Sequence, residues 1–122
     1  NQICTGNMAT VIGIFENCFK TKKPLTVVKP GSQSRRFTHI HDTVDTCYLA
    51  WKTNKCQHYS ISNHKSYTIL EVAKIFGTKI KFLNARPGER FASALTSINL
   101  KNRVFKHFGK IKLKDYIKTI IE

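Results

Sequence analysis

Between Thr68 and Gly77 both ends of a helix are written into the sequence. Thr68-Ile69-Leu70-Glu71 has the S/T-x-x-E spacing in which threonine hydroxyl and glutamate carboxylate each take a backbone N–H of the first turn. Val72, Ala73, Ile75 and Phe76 follow at helical spacing, and Gly77 suits the left-handed residue that ends a helix. So short a helix offers one narrow apolar stripe, which needs a layer to rest on.

The neighbouring segments are equally short. From Met8 to Lys20, Val11, Ile12, Ile14, Phe15, Cys18 and Phe19 recur at steps of three and four, the mark of an amphipathic helix. Lys20, Lys22 and Lys23 suit its C-terminal dipole, and Pro24 stops it. Leu25–Val28 and Arg36–Ile40 read as strands, forming a hairpin or lying as neighbours around the Pro30-Gly31 turn. Asp42 is placed to cap a helix running to about Lys52, with Val44, Cys47, Tyr48 and Trp51 inward. His58–Ser62 and Ile80–Leu83 read as strands, and Asn99–Phe108 and Leu113–Ile121 as helices. The expectation is an α+β fold, a small mixed domain with short strands and four or five helices, in which residues 1–7 are a lead-in loop and residues 8–122 the domain.

With 122 residues and 41% hydrophobic content the chain can bury a core, so disorder is not expected. Its 21 Lys and Arg against 7 Asp and Glu leave a net charge of +14, which calls for an anionic partner or for a partner domain that balances the field. Cys4, Cys18, Cys47 and Cys56 form no C-x-x-C pair and read as reduced thiols of a cytoplasmic protein. The apolar run from Ala9 to Phe15 is too short to span a bilayer, so no membrane partner is expected. Asn1 in place of an initiator Met suggests a piece of a longer chain.

Two arginines stand out by their setting. Arg35 lies in Gly31-Ser32-Gln33-Ser34-Arg35-Arg36-Phe37, and Arg86 in Arg86-Pro87-Gly88-Glu89-Arg90. A guanidinium offers planar, permanently charged, bidentate hydrogen bonding to phosphate oxygens. If both segments face one cleft, the pair would clamp a diphosphate.

Read in order, Pro24-Leu25-Thr26-Val27-Val28, Gly31-x-Gln33-x-Arg35-x-Phe37, Ile40-x-Asp42, Tyr59-Ser60-Ile61-Ser62, the T-x-x-E helix and Arg86-x-Gly88-Glu89 resemble the C-terminal portion of NAD-dependent nucleotide-sugar epimerases and dehydratases, the extended short-chain dehydrogenase/reductase family. The resemblance runs from about Met8 to the C-terminus. It implies a substrate-binding domain that grips a UDP-, dTDP- or GDP-sugar while a separate Rossmann domain bearing NAD oxidises the sugar at C4. It further implies that Arg35 and Arg86 bind diphosphate or ribose, that Glu89 accepts a ribose hydroxyl, and that Thr26 and Val28 line the base. Phosphate would rest near the backbone of Thr10 and Val11, where a helix N-terminus favours anions.

Several positions depart from the family's pattern. Arg36 replaces the usual Asp, Val28 a common aromatic, and Thr96 a frequent Asp. No G-x-x-G-x-x-G turn occurs, so NAD has no evident site in these 122 residues and this chain is not expected to catalyse alone. Tyr48-x-x-x-Lys52 copies the spacing of the family's catalytic pair but reads as coincidence, with Tyr48 in the core. His39-x-His41 would share one side of a strand, yet no third metal ligand is in view.

Two other readings remain open. A basic nucleic-acid-binding module could use the charge with Phe37, Trp51, Tyr59 and Tyr67 as stacking surfaces, although no recognition motif appears. Alternatively the chain is a degenerate copy with no ligand site, whose uncovered partner face would be an apolar patch favouring self-association.

Overall fold

The computed structural model describes residues 2–6, 8–54, 58–85, 87–88 and 104–122. Its elements run α1 (Val11–Lys20), β1 (Leu25–Val28), β2 (Ser34–Arg35), α2 (Ile40–Thr53), β3 (His58–Ser62), β4 (Tyr67–Thr68), α3 (Ile69–Phe76), β5 (Ile80–Leu83), β6 (Val104–Phe108) and α4 (Leu113–Ile121). This is the small mixed α+β architecture the sequence suggests, with four helices among the described residues. The strands pair as three two-stranded sheets, β1 parallel to β5, β2 antiparallel to β4, and β3 parallel to β6.

The core forms where α1, α3 and α4 close over β1. Phe15, Leu25, Val27, Val72, Ala73 and Ile117 are fully buried, and Phe15 meets Phe76 edge to face with ring centroids 5.9 Å apart. Along β1 successive side chains point to opposite sides. Leu25 and Val27 therefore enter the core, and Thr26 and Val28 are left on the other side, partly open.

Helix α3 carries both marks read from its sequence. The Thr68 hydroxyl accepts the Glu71 N–H at 3.1 Å, the Glu71 carboxylate accepts the Thr68 N–H at 2.7 Å, and Gly77 ends the helix at φ 71°. The remaining first-turn amides are also used, since Ile69 N–H donates to the Gln33 carbonyl and Leu70 N–H to that of Gly31. That approach leaves no room for a side chain at Gly31, where φ is +78° and an added Cβ would stand 2.9 Å from Val27 and 3.2 Å from Leu70.

The Thr68 backbone N–H holds the Glu71 carboxyl below its ordinary value of 4.5. A carboxyl whose folded value is depressed contributes stability that is complete above the unfolded value and is lost as pH falls through the folded one. Glu71→Ala is therefore expected to lower the melting temperature at pH 7, with the gap from the wild type shrinking below about pH 4. Thr68→Ala is expected to cost about 1 kcal/mol at pH 7 in urea denaturation.

Several expectations are corrected. Helix α1 starts at Val11 rather than Met8, because Thr10 is its N-cap and its hydroxyl accepts the Gly13 N–H at 3.2 Å. The strands β1 and β2 form no hairpin, since each finds a partner far along the chain, and strand geometry after Gly31 is limited to Ser34–Arg35 rather than Arg36–Ile40. His39 and His41 accordingly do not share a strand. His39 caps α2, its Nδ1 accepting the His41 N–H at 3.1 Å, so α2 begins before Asp42.

Asp42 is instead a buried strut, its carboxylate accepting the N–H groups of Lys110 at 3.1 Å and Ile111 at 3.0 Å. That attachment sets the rotation of α2. Asp42 and Thr46 face inward, while Val44, Cys47, Tyr48 and Trp51, expected in the core, are exposed, Trp51 to 76%. Residues 104–108, expected in a helix, form the strand β6 beside β3, and residues 99–103 lie outside the described ones. Cys4, Cys18 and Cys47 are free thiols, and Cys56 lies outside the described residues. Among the described residues no helix is long and apolar enough to cross a membrane.

Candidate functional site

The open side of β1 is one wall of a cavity of about 350 Å³. Thr26 and Val28 supply that wall, Ala9, Val11, Ile14 and Phe15 come from α1 and its approach, and Gln33, Arg35, Ile69 and Leu83 close the rest. The strand alternation that sends Leu25 and Val27 into the core is what presents Thr26 and Val28 here. Thus Val11, Thr26, Val28 and Arg35, singled out along the sequence, line one cavity. Thr10 lies beside it between Ala9 and Val11, with its hydroxyl engaged as cap and donating to Gln2 Oε1 at 2.6 Å. Arg86 and Glu89 lie outside the described residues, as does Thr96.

Two neighbouring arginines have separate tasks. The Arg36 Nη1 donates to the Asn63 carbonyl at 3.0 Å and also to that of His64, fastening the segment after β3, while Asn63 Nδ2 reaches the carbonyls of Phe37 and Ile111. Arg36 therefore serves local structure. Arg35 is partly buried, donates from Nη1 to the Ser34 carbonyl at 2.7 Å, and lines the cavity with a fixed positive charge.

Sequence reasoning passed over Gln33 as a site residue. It is only 2% exposed, its Nε2 donates to the Val28 carbonyl at 3.5 Å, and its Oε1 has no hydrogen-bond partner among the described residues. The available signal was its place two residues before Arg35 in the run Gly31-x-Gln33-x-Arg35.

A larger cavity, about 490 Å³, lies elsewhere, between α4 and the segment entering α2. Phe37, Ile40, Leu113 and Tyr116 make it mostly apolar, and burial pushes the Tyr116 hydroxyl above its ordinary value. His39, which borders it, has its Nδ1 committed to capping α2. The smaller cavity is the better candidate, since it joins a guanidinium, a hydroxyl and a carboxamide to apolar walls suited to a flat ring. Among the described residues no cluster of His, Cys, Asp and Glu could hold a metal. Nor do those residues include a Gly-rich turn between a strand and a helix of the kind on which a dinucleotide pyrophosphate rests.

The fold is shared with part of a class of nucleotide-sugar epimerase structures. UDP-glucuronic acid 4-epimerase from Bacillus cereus, in complex with UDP-glucuronic acid and NAD, superposes with a TM-score of 0.68 at 20% identity, over 92% of this chain and 38% of that one. A tyrosine-to-phenylalanine mutant of the same enzyme, in complex with UDP-4-deoxy-4-fluoro-glucuronic acid and NAD, gives 0.66 at 20% identity, over 98% of this chain and 43% of that one. At this identity the likeness is one of fold, and the chain spans about two fifths of the length of those enzymes. No protein-family model and no curated relative matches the sequence.

Proposed function

We propose that this chain is a substrate-gripping domain of a nucleotide-sugar epimerase or dehydratase, holding the nucleotide diphosphate of an NDP-sugar while the chemistry takes place elsewhere. The observation that carries the reading is the gathering of Arg35, Thr26, Val28 and Val11 on one cavity of about 350 Å³. Arg35 would take phosphate oxygens in charge-assisted hydrogen bonds, and the open side of β1 would lie against the base. Arg86 and Glu89 follow the lining residue Leu83 closely in sequence and are proposed as second guanidinium and ribose acceptor. Fixing the remote diphosphate converts binding energy into orientation of the sugar.

An NAD-bearing Rossmann domain, to which the exposed Ile40, Val44, Tyr48 and Trp51 of α2 would offer an apolar face, belongs to the same proposal, as does a cytoplasmic setting suited to the free thiols. The likeness to an enzyme in complex with UDP-glucuronic acid makes UDP-sugars the first ligands to test, ahead of dTDP- and GDP-sugars.

In calorimetric titration at an ionic strength of about 0.15 M, the wild-type chain is expected to bind a UDP-sugar and Arg35→Ala to weaken it about 10- to 100-fold, as loss of hydrogen bonds to a charged group implies. Lys118→Ala removes the same charge from an exposed position on α4 and should leave the affinity unchanged. Equal binding by the Arg35→Ala and wild-type proteins would overturn the reading. The +14 charge also predicts binding of nucleic acid, which added salt should abolish without regard to Arg35.

A further inference from the structure

Among the described residues Gln33 carries the one buried carboxamide on the candidate cavity, and half of that group is without a partner among them. Its backbone is held on both sides. The Gln33 carbonyl takes the first amide of α3, Gly31 is pressed against Leu70, and Ser34 and Arg35 pair with β4. Its Nε2 donates to the Val28 carbonyl at the end of β1, which turns the amide oxygen the other way. Among the described residues that oxygen is buried without a donor, in a residue 2% exposed. A buried acceptor left unsatisfied is costly, and few native groups stay so unless something external completes them.

The chemistry of that missing donor is restricted. A pyrophosphate at neutral pH offers acceptors, so it cannot satisfy an amide oxygen and would be repelled by its partial negative charge. Arg35, two residues on, is the group that suits the phosphates. We infer that Gln33 Oε1 accepts a hydrogen bond from an N–H or O–H of the nucleoside half of the ligand, making Gln33 a specificity-determining residue beside an arginine that reads only charge. This rests on the proposed function and divides its cavity into an anion end and a nucleoside end. The donor is either a ring N–H of the base or a ribose hydroxyl.

Calorimetry with the wild type, Gln33→Leu and Gln33→Met, the last close in shape to glutamine, tests the inference. The probes are UDP, UDP methylated at the ring N–H, 2′,3′-dideoxy-UDP and inorganic pyrophosphate. Both variants should bind UDP about 5- to 10-fold more weakly, the scale of one neutral hydrogen bond, and pyrophosphate as the wild type does. The penalty should vanish with the methylated probe if the base is the donor, and with the dideoxy probe if the ribose is. Thermal unfolding should be unchanged or raised in the variants, because the orphaned acceptor is gone. A merely structural glutamine would show the opposite. UDP binding unaffected by either variant, or weakened equally for pyrophosphate, sinks the inference and leaves the role of Arg35 standing. A wild-type chain that binds neither UDP nor pyrophosphate removes the proposed function and this inference with it.

Discussion

Phe15→Ala is expected to lower the unfolding free energy by about 3–5 kcal/mol in urea denaturation, the usual range for a fully buried phenylalanine. Phe15 has no solvent exposure, meets Phe76 edge to face, and also lines the candidate cavity. Truncation therefore removes apolar area and an aromatic pair at once. The space left would join an existing cavity of about 350 Å³, so collapse of the surroundings should recover little. Phe15→Leu, which keeps most of the volume, should lose less than half as much. A loss below about 1 kcal/mol for Phe15→Ala would mean that α1 does not pack on α3 as described.

Asp42→Ala should be nearly as damaging, by about 2–4 kcal/mol, through polarity instead of volume. Its carboxylate accepts the amides of Lys110 and Ile111, which lie where the chain passes from β6 into α4. Without it both N–H groups lose their partner beside a residue only 4% exposed. Gly109 belongs to the same device, for a Cβ there would stand 2.7 Å from the Asp42 Oδ2. Asp42→Asn retains one acceptor oxygen and should fall between wild type and alanine. Amide hydrogen exchange gives the local signature, with Lys110 and Ile111 accelerated in Asp42→Ala before the core amides change.

The two substitutions also mark where sequence reasoning succeeds and where it stops. Phe15 sits in a helix whose apolar residues recur at helical spacing, so its inward face follows from periodicity. Helix α2 defeats the same reasoning, because its apolar residues Val44, Tyr48 and Trp51 are outside and the polar Asp42 and Thr46 inside. Burial of a carboxylate is rare unless it is paired, and the amides that pair with it lie far along the chain, beyond reach of a local window. Residues 104–108 fail for a related reason. A short apolar run suits helix and strand alike, and pairing with β3 decides between them.

The site divides along the same line. The alternation of Leu25, Thr26, Val27 and Val28 shows two faces without saying what either one meets. The setting of Arg35 marks it out from the other basic residues, yet the unused oxygen of Gln33 is invisible until Val28 and α3 stand around it.

By itself the sequence determined the features that one or two turns of chain can enforce: the capped ends of α3, the apolar stripe of α1, the extended runs of β3 and β5, and the helical tail at Leu113–Ile121. Tertiary structure alone decided that β1 pairs with β5, that α2 turns its polar side inward, and that Val11, Thr26, Gln33 and Arg35 border one space. Caps and periodicity arise from hydrogen bonds and side-chain directions only a few residues apart. Strand partners and buried polar groups are chosen by contacts between distant segments, whose identity no local stretch contains.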